Sequence, residues 1–274
     1  MSKLKIAVLN VGHGDFIFAT TPLGDNLVID CGLGDVVPST FLSSITSIDE
    51  FQISHPHTDH FDDIIKMSNK KIKSFRCPSI DIFTDEIIGW KDSDKEKIKK
   101  LREMKSSIKT DNNAVTVGSG FSHTVWYPKN VDPKNPNTAS LVTTLSYNGF
   151  KMLFGGDLPN SGWESLLTDE SFRKAISGTS VFKVPHHGRK EGCSESLFKH
   201  IEPLLCIISD KPLDSDNENT ASTDWYTQRS SGANICGLTD KRKVLTTRKD
   251  KSIFIEVTED GTWSVFTDTK WRKD

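Results

Sequence analysis

The 274 residues carry 35 lysines and arginines against 37 aspartates and glutamates, a formal charge of −2, with a sequence pI near 6.5. A chain of this length can bury a sizeable core, and so even a charge balance excludes a global positive field for nucleic acid, leaving only a local basic surface. No apolar run approaches the roughly 18 residues of a membrane span, five scattered cysteines without CxxC spacing argue against a disulfide framework or a cysteine zinc site, and MSKLKIAVLN lacks the layout of a signal peptide, so cytoplasmic residence is expected.

The chain opens on strands and turns. KIAVLNV, FIFATT and NLVIDCG are rich in β-branched and aromatic residues, with the turn PLGD before the third, and predict an antiparallel meander. EFQIS (50–54) is another short strand, and it runs directly into SHPHTDHFDD. There, three of the chain's eight histidines, His55, His57 and His60, share six positions with Asp59. Imidazole and carboxylate at this density form a donor set for zinc, iron or manganese, which a solvated loop has no need of. HFDDIIKMSNK then reads as a helix with Ile64, Ile65 and Met67 inward. The cluster therefore lies on a strand-to-helix loop, where α/β folds commonly place their chemistry.

Residues 66–109 change character. KMSNKKIKSFR contains Lys66, Lys70, Lys71, Lys73 and Arg76 with no acidic residue, and GWKDSDKEKIKKLREMKSSI reads as an exposed, charged helical insertion around 90–109. Charge runs of this kind are usually solvated surface. AVTV, HTVWYP and SLVTTLSY restore the strand pattern, the last preceded by the irregular loop KNVDPKNPNTAS. KMLFGGD is an apolar strand ending on Asp157, followed by a helix near SGWESLL, and SVFKVPHHG is a strand ending on His186 and His187. A helix (SESLFKHIEP), a buried strand (LLCIIS), a second helix (TDWYTQRSSG) and a hairpin about Glu259-Asp260-Gly261 follow. With no repeat or linker, a single domain over 1–274 is expected. The cysteines (Cys31, Cys77, Cys193, Cys206, Cys236) are expected as small buried hydrophobes.

Ligand-type residues thus close three apolar strands, and all three could meet on one edge of the sheets. In this combination the chain resembles the metallo-β-lactamase superfamily: SHPHTDH matches its HxHxDH motif, GGD its bridging-aspartate strand, VPHHG its final histidine motif, and VIDCG its first motif, with Asp30 orienting the metal loop. Within it, NVGHGDFIFATTPLGDNLVIDCG, NTASLVTTLSYNGFKMLFGGDL and VFKVPHHGRKEGCSESLF look like the metallo-β-lactamase-like domain of bacterial DNA-uptake (competence) channel proteins and their free-standing relatives. The likeness runs through about residue 258. Asn10, His13, Arg189 and the insertion around 90–109 depart from it.

The resemblance implies an α/β, four-layer αββα sandwich of two mixed β-sheets flanked by helices. It also implies two divalent ions: His55 and His57 on the first, Asp59 and His60 on the second, Asp157 bridging them, and His187 as the last ligand, since it holds the second place in VP-x-H-G. His186 would then be a pocket residue and general acid, although the register of the strand leaves the two histidines exchangeable. Asp59 and Asp15 join His186 as candidate catalytic groups, because the loop of His13 and Asp15, turned by Gly12 and Gly14, falls near the metals in the resemblance. The superfamily supplies a further histidine just before the SLV strand; here Asn135, Pro136, Asn137 and Thr138 stand there. The first site is therefore expected to be weaker, or completed by an amide oxygen or water. Zinc is the expected ion, with manganese or magnesium as oxygen-tolerant alternatives. His123 lies about a strand too early to substitute and is expected as a surface or core histidine.

Two ions sharing Asp157 would acidify a bridging water for hydrolysis. The resemblance favours phosphodiesters, and the DNA-uptake group points to nucleic acid, with Lys66–Arg76, 91–109 and Lys241-Arg242-Lys243 as backbone contacts. Two other readings stand beside it, since one fold hosts many chemistries: a hydrolase of a small ester (phosphorylcholine, a cyclic nucleotide or a lactone), and a non-catalytic metal-bound binding module.

Overall fold

The computed structural model describes residues 2–89, 91–211 and 222–267. Strands form where β-branched and aromatic residues alternate: β1 (Leu4–Val8), β2 (Ile17–Thr20), β3 (Asn26–Ile29), β4 (Ser47–Gln52), β5 (Lys71–Arg76), β6 (Phe121–Trp126), β7 (Val142–Tyr147), β8 (Phe150–Phe154), β9 (Val181–Lys183), β10 (Leu205–Ile208), β11 (Val244–Thr246), β12 (Ile253–Val257) and β13 (Trp263–Thr267). They make a seven-stranded sheet in the order β13-β12-β1-β2-β3-β4-β5 and a six-stranded sheet in the order β11-β10-β9-β8-β7-β6.

Both sheets are mixed, and for one reason. Strands joined by turns or loops that contain no α-helix pair antiparallel, as in β1-β2-β3 and β6-β7-β8. Strands joined through a helix pair parallel, as in β3-β4-β5 and β8-β9-β10-β11. The parallel halves deliver β3, β4, β8 and β9 to the same edge, each ending at a ligand-type side chain or its partner.

The period of two sets the layers. Leu4, Ile6 and Val8 of β1 meet Leu145, Phe154, Val181 and Ile255 between the sheets, while Ala7 faces outward. Helices cover the outer faces: Ile64, Met67 and Leu101 pack with Phe51 on the first sheet, and Trp163, Phe172 and Leu197 with Phe182 on the second. This is the αββα layering that the sequence implied.

Local departures have local causes. The segment after the histidine cluster is not one helix but a 3-10 turn (Thr58–His60) and one α-turn (Ile64–Met67), so Ile65 points outward at 40% exposure rather than inward. AVTV forms no strand; strand pairing begins only at Phe121. The charged segment is helical over Lys95–Ser107, and it buries Ile98, Leu101 and Met104 along one stripe. Cys31 and Cys206 are buried as expected, but Cys236 is exposed.

Within the basic stretch, the placement of Arg76 is corrected. Arg76 is buried, its guanidinium forked onto Glu50 at 2.9 and 3.1 Å, because β4 and β5 are neighbours and Glu50 lies two residues before Gln52, the register partner of Arg76, on the same face. Lys73 pairs with Asp49, and Lys70 donates to the Leu42 carbonyl at 2.6 Å. Arg76 and Lys73 thus tie β5 to β4 and Lys70 ties the start of β5 to the end of the helix over Pro38–Phe41, while Lys66, Lys71 and Lys73 stay exposed. The network continues through Gln52, which contacts His123 at 3.1 Å and accepts from Thr143 of the other sheet at 2.8 Å, so His123 is a core histidine.

Removing one member of a buried pair strands the other charge. Arg76→Met should cost about 3–5 kcal/mol in urea unfolding, and Arg76→Met with Glu50→Leu should recover most of it. A single-variant loss under about 1 kcal/mol would mean that the Glu50 carboxylate stays solvated.

Candidate functional site

Asp30 sets the site from beneath. It follows β3 in a left-handed conformation (φ 60°) and is fully buried, and its amide donates to the Gln52 carbonyl at the end of β4. One carboxylate oxygen accepts from the Ser54 amide at 2.6 Å; the other accepts from Ser54 Oγ at 2.7 Å and faces His60 Nδ1 at 2.8 Å. With Nδ1 bonded to Asp30, Nε2 of His60 is the nitrogen turned into the site. The loop after β4 then presents His55 and His57, with His55 Nε2 and His57 Nδ1 converging at 3.1 Å.

Asp157 enters from the other sheet, at the end of β8. Its amide donates to Ser140 Oγ at 3.1 Å, and Gly156 before it (φ 52°) is packed against Ser140 and Ser54. Asp157 Oδ2 lies 3.4 Å from His187 Nε2, 3.5 Å from His60 Nε2 and 3.8 Å from His55 Nε2. Asp59 Oδ2 lies 3.7 Å from His187 Nε2 and 3.9 Å from His60 Nε2. The His187 ring is fixed by Nδ1 donating to the Ser209 carbonyl at 3.1 Å.

Residues 186 and 187 both take left-handed φ angles of 51°, which sends their rings apart, with centroids at 6.5 Å. Only His187 reaches the two carboxylates; His186 lies beside the pocket with its Nδ1 buried and without a partner. Burial also lowers the His186 pKa, which favours a neutral ring and so a proton acceptor over the general acid expected of it.

His55, His57, Asp59, His60, Asp157 and His187 are thus brought together. Asp15 is adjacent but committed elsewhere: its Oδ2 accepts from Lys183 Nζ at 2.7 Å, both side chains being buried. Lys183, His13 and Asn137 enlarge the site. Lys183 had a visible signal, a lone charge inside the apolar run SVFKVP. His13 Nε2 sits 3.6 Å from Asp59 Oδ2. Asn137 lies beside His57, nine-tenths buried, with Oδ1 unpartnered. A surface hollow of about 740 Å³ lined by Phe198, His200, Gln228 and Arg229 includes none of these residues, so volume alone does not locate the chemistry.

The donors fit a divalent cation. His60 Nε2, His187 Nε2 and Asp157 Oδ1 are buried with no hydrogen-bond partner, a costly arrangement unless something else satisfies them. His55/His60/Asp157 and His13/Asp59/His187 each gather ligand atoms within 4.8 Å of one another.

Neither a protein-family model nor a curated protein matches the chain. Among solved structures it is similar to the metallo-β-lactamase fold protein YhfI from Bacillus subtilis, at 13% identity over 97% of this chain and 100% of that chain, with a TM-score of 0.53. The chain has the metallo-β-lactamase fold. Igni18, a metallo hydrolase from the archaeon Ignicoccus hospitalis, is similar at 13% identity over 97% of this chain and 100% of that chain, with a TM-score of 0.49. In this fold the strand ends just described share one sheet edge. No helix among the described residues is long and apolar enough to cross a membrane.

Charge balance at the cluster gives a pH dependence. Burial disfavours a charged His187 ring, yet the Asp157 and Asp59 carboxylates raise its pKa to about 9. Burial likewise opposes the Asp157 carboxylate, which His187, His60 and His55 hold well below the usual range. A cation entering between them must displace the His187 proton. Uptake at pH 7 should therefore release protons to a weak buffer, and affinity should climb as pH rises toward 9. Affinity flat across that range, by indicator titration, would count against a protonated His187.

Proposed function

We propose that the chain is a metal-dependent hydrolase of phosphodiesters. The observation that carries this reading is the convergence of unpartnered, buried ligand atoms from His60, His187 and Asp157, with His55, His57 and Asp59 alongside. His55 and His57 would hold a first ion, Asp59, His60 and His187 a second, and Asp157 both. Asn137, beside His57, would offer its amide oxygen to complete the first site. Bound there, divalent ions would acidify a water and neutralise charge on the attacked group.

The chain's own groups do the rest. Asp30 and the Ser209 carbonyl hold the His60 and His187 rings by their outer nitrogens, and His186 would take a proton beside them. The motif resemblance to DNA-uptake domains supports phosphodiesters over other esters. Nucleic acid as the substrate leaned on the basic stretch, and Arg76, Lys73 and Lys70 are occupied within the fold. That observation favours a small phosphodiester as a second reading.

Loaded with Zn²⁺ or Mn²⁺, the protein should hydrolyse bis(p-nitrophenyl) phosphate, and Asp157→Ala should lose both ions and activity. His187→Ala should lose metal as well, whereas His186→Ala should keep metal and lose about 10²–10⁴-fold in turnover. Bound metal without hydrolysis under any of these ions would leave the binding-module reading in its place.

Salt separates the two substrate classes. Cleavage of a single-stranded oligonucleotide should weaken with log–log slope about −0.7 per neutralised phosphate if the protein is a nuclease. A small diester should show almost no slope. Oligonucleotide cleavage that is absent or indifferent to salt would assign the enzyme to small phosphodiesters.

A further inference from the structure

The second ion's expected ligands are Asp59, His60, Asp157 and His187, and one more imidazole faces two of them, Asp59 and His187. His13 Nε2 lies 3.6 Å from Asp59 Oδ2, and its ring centroid is 4.1 Å from that of His187. With bonds of about 2.05 Å, ligand atoms on one ion sit about 3.3 Å apart, so the separations of 3.4 to 3.9 Å around Asp59 and Asp157 lie within reach of it. Resting on the metal-centre reading above, we propose that His13 is a fifth protein ligand of the second ion.

The backbone holds His13 in place. Gly12 and Gly14 take φ angles of 68° and 111°, and a Cβ at Gly14 would collide with the Asp59 carbonyl oxygen. The loop is thereby pressed directly onto the loop of its neighbouring ligand. One residue on, Asp15 is locked to Lys183 at 2.7 Å. His13 therefore approaches Asp59 from a backbone held at the two residues that follow it, with its side chain 30% exposed.

The protonation pattern agrees. Arg189 Nη2 faces His13 Nε2 at 3.4 Å, a long contact in which only the arginine donates, so Nε2 carries the lone pair that a metal needs. Arg189 is half-buried, and an ion on His13 Nε2 would displace its guanidinium from that contact. The consequence is an asymmetric pair of sites. The second ion gains protein ligands on all sides, as anchoring metals do, while the first, held by His55, His57 and Asp157 with Asn137, keeps open coordination for water and substrate.

The test is titration of stripped protein with Zn²⁺ against a chromophoric chelator and with Co²⁺ followed by visible absorption. The parent should take two ions, one tighter. His13→Ala and His13→Gln, checked for parental melting, should weaken the tighter ion by at least the roughly 10–100-fold that even an outer-shell partner costs, and alanine should intensify the Co²⁺ band as coordination drops. His57→Ala should weaken only the looser ion. If the parent takes two ions and both His13 variants match it in affinity and spectrum, His13 is not a ligand, and the proposed function stands without it. A parent that takes no ion overturns both.

Discussion

The ion pair between Asp15 and Lys183 joins the two halves of the site. Both side chains are almost fully buried, 2.7 Å apart, and they belong to different sheets. Such a pair is a poor source of stability, because desolvating two charges offsets most of their attraction. Its consequence here is positional. Asp15 ends the loop that carries His13 and presses Gly14 onto the Asp59 peptide, while Lys183 ends β9, three residues before His186. Ligands on separate sheets are thus referred to one buried contact.

Asp30 does for the first sheet what that pair does between the sheets. It ties the end of β3 to the end of β4 through Gln52 and Ser54, and it aims His60. Behind it, Gln52 reaches Thr143 on the second sheet and Arg76 forks onto Glu50. The polar network under the site is continuous, so the ligand loops rest on side chains whose own rotamers are fixed by partners. Metal ligands are useful only when held to within fractions of an ångström, and a short loop such as 55–60 lacks the packing to do that alone.

Much of the fold was legible because period-two strands and their terminal residues are local features. The strands ending at Ile29, Gln52, Phe154 and Lys183 were each read from a few residues, and the resemblance supplied their layering. Partner choice was not legible. Arg76 and Glu50 are 26 residues apart and meet only through strand register, so Arg76 read as a surface cation. Ile65 read as inward because a longer helix was assumed; one turn cannot sustain that stripe. Asn137 was covered by the expectation of an amide or water, but nothing local marks it out from Asn135, whose side chain instead caps the turn by accepting from the Asn137 amide. His13 sits between glycines, a setting that signals backbone shape and says nothing of what the ring faces.

Charge explains why so many donors tolerate one another. Within a few ångströms lie Asp30, Asp59 and Asp157 with His55, His60 and His187, mostly buried. Three carboxylates there would repel one another, and the protein answers locally: Asp157 draws the proton affinity of His60 and His187 upward while both rings hold its own down. The two rings thus stand in for part of the positive charge that divalent ions would bring, their two protons matching the charge of one such ion. His55 differs, since burial and the neighbouring His60 push its pKa well below the usual value. It is ready to coordinate without losing a proton, yet it offers the first ion no carboxylate beyond the shared Asp157. The stronger charge complement therefore belongs to the second site, where Asp59 and Asp157 both face the ion, and the first is left more dependent on neutral donors.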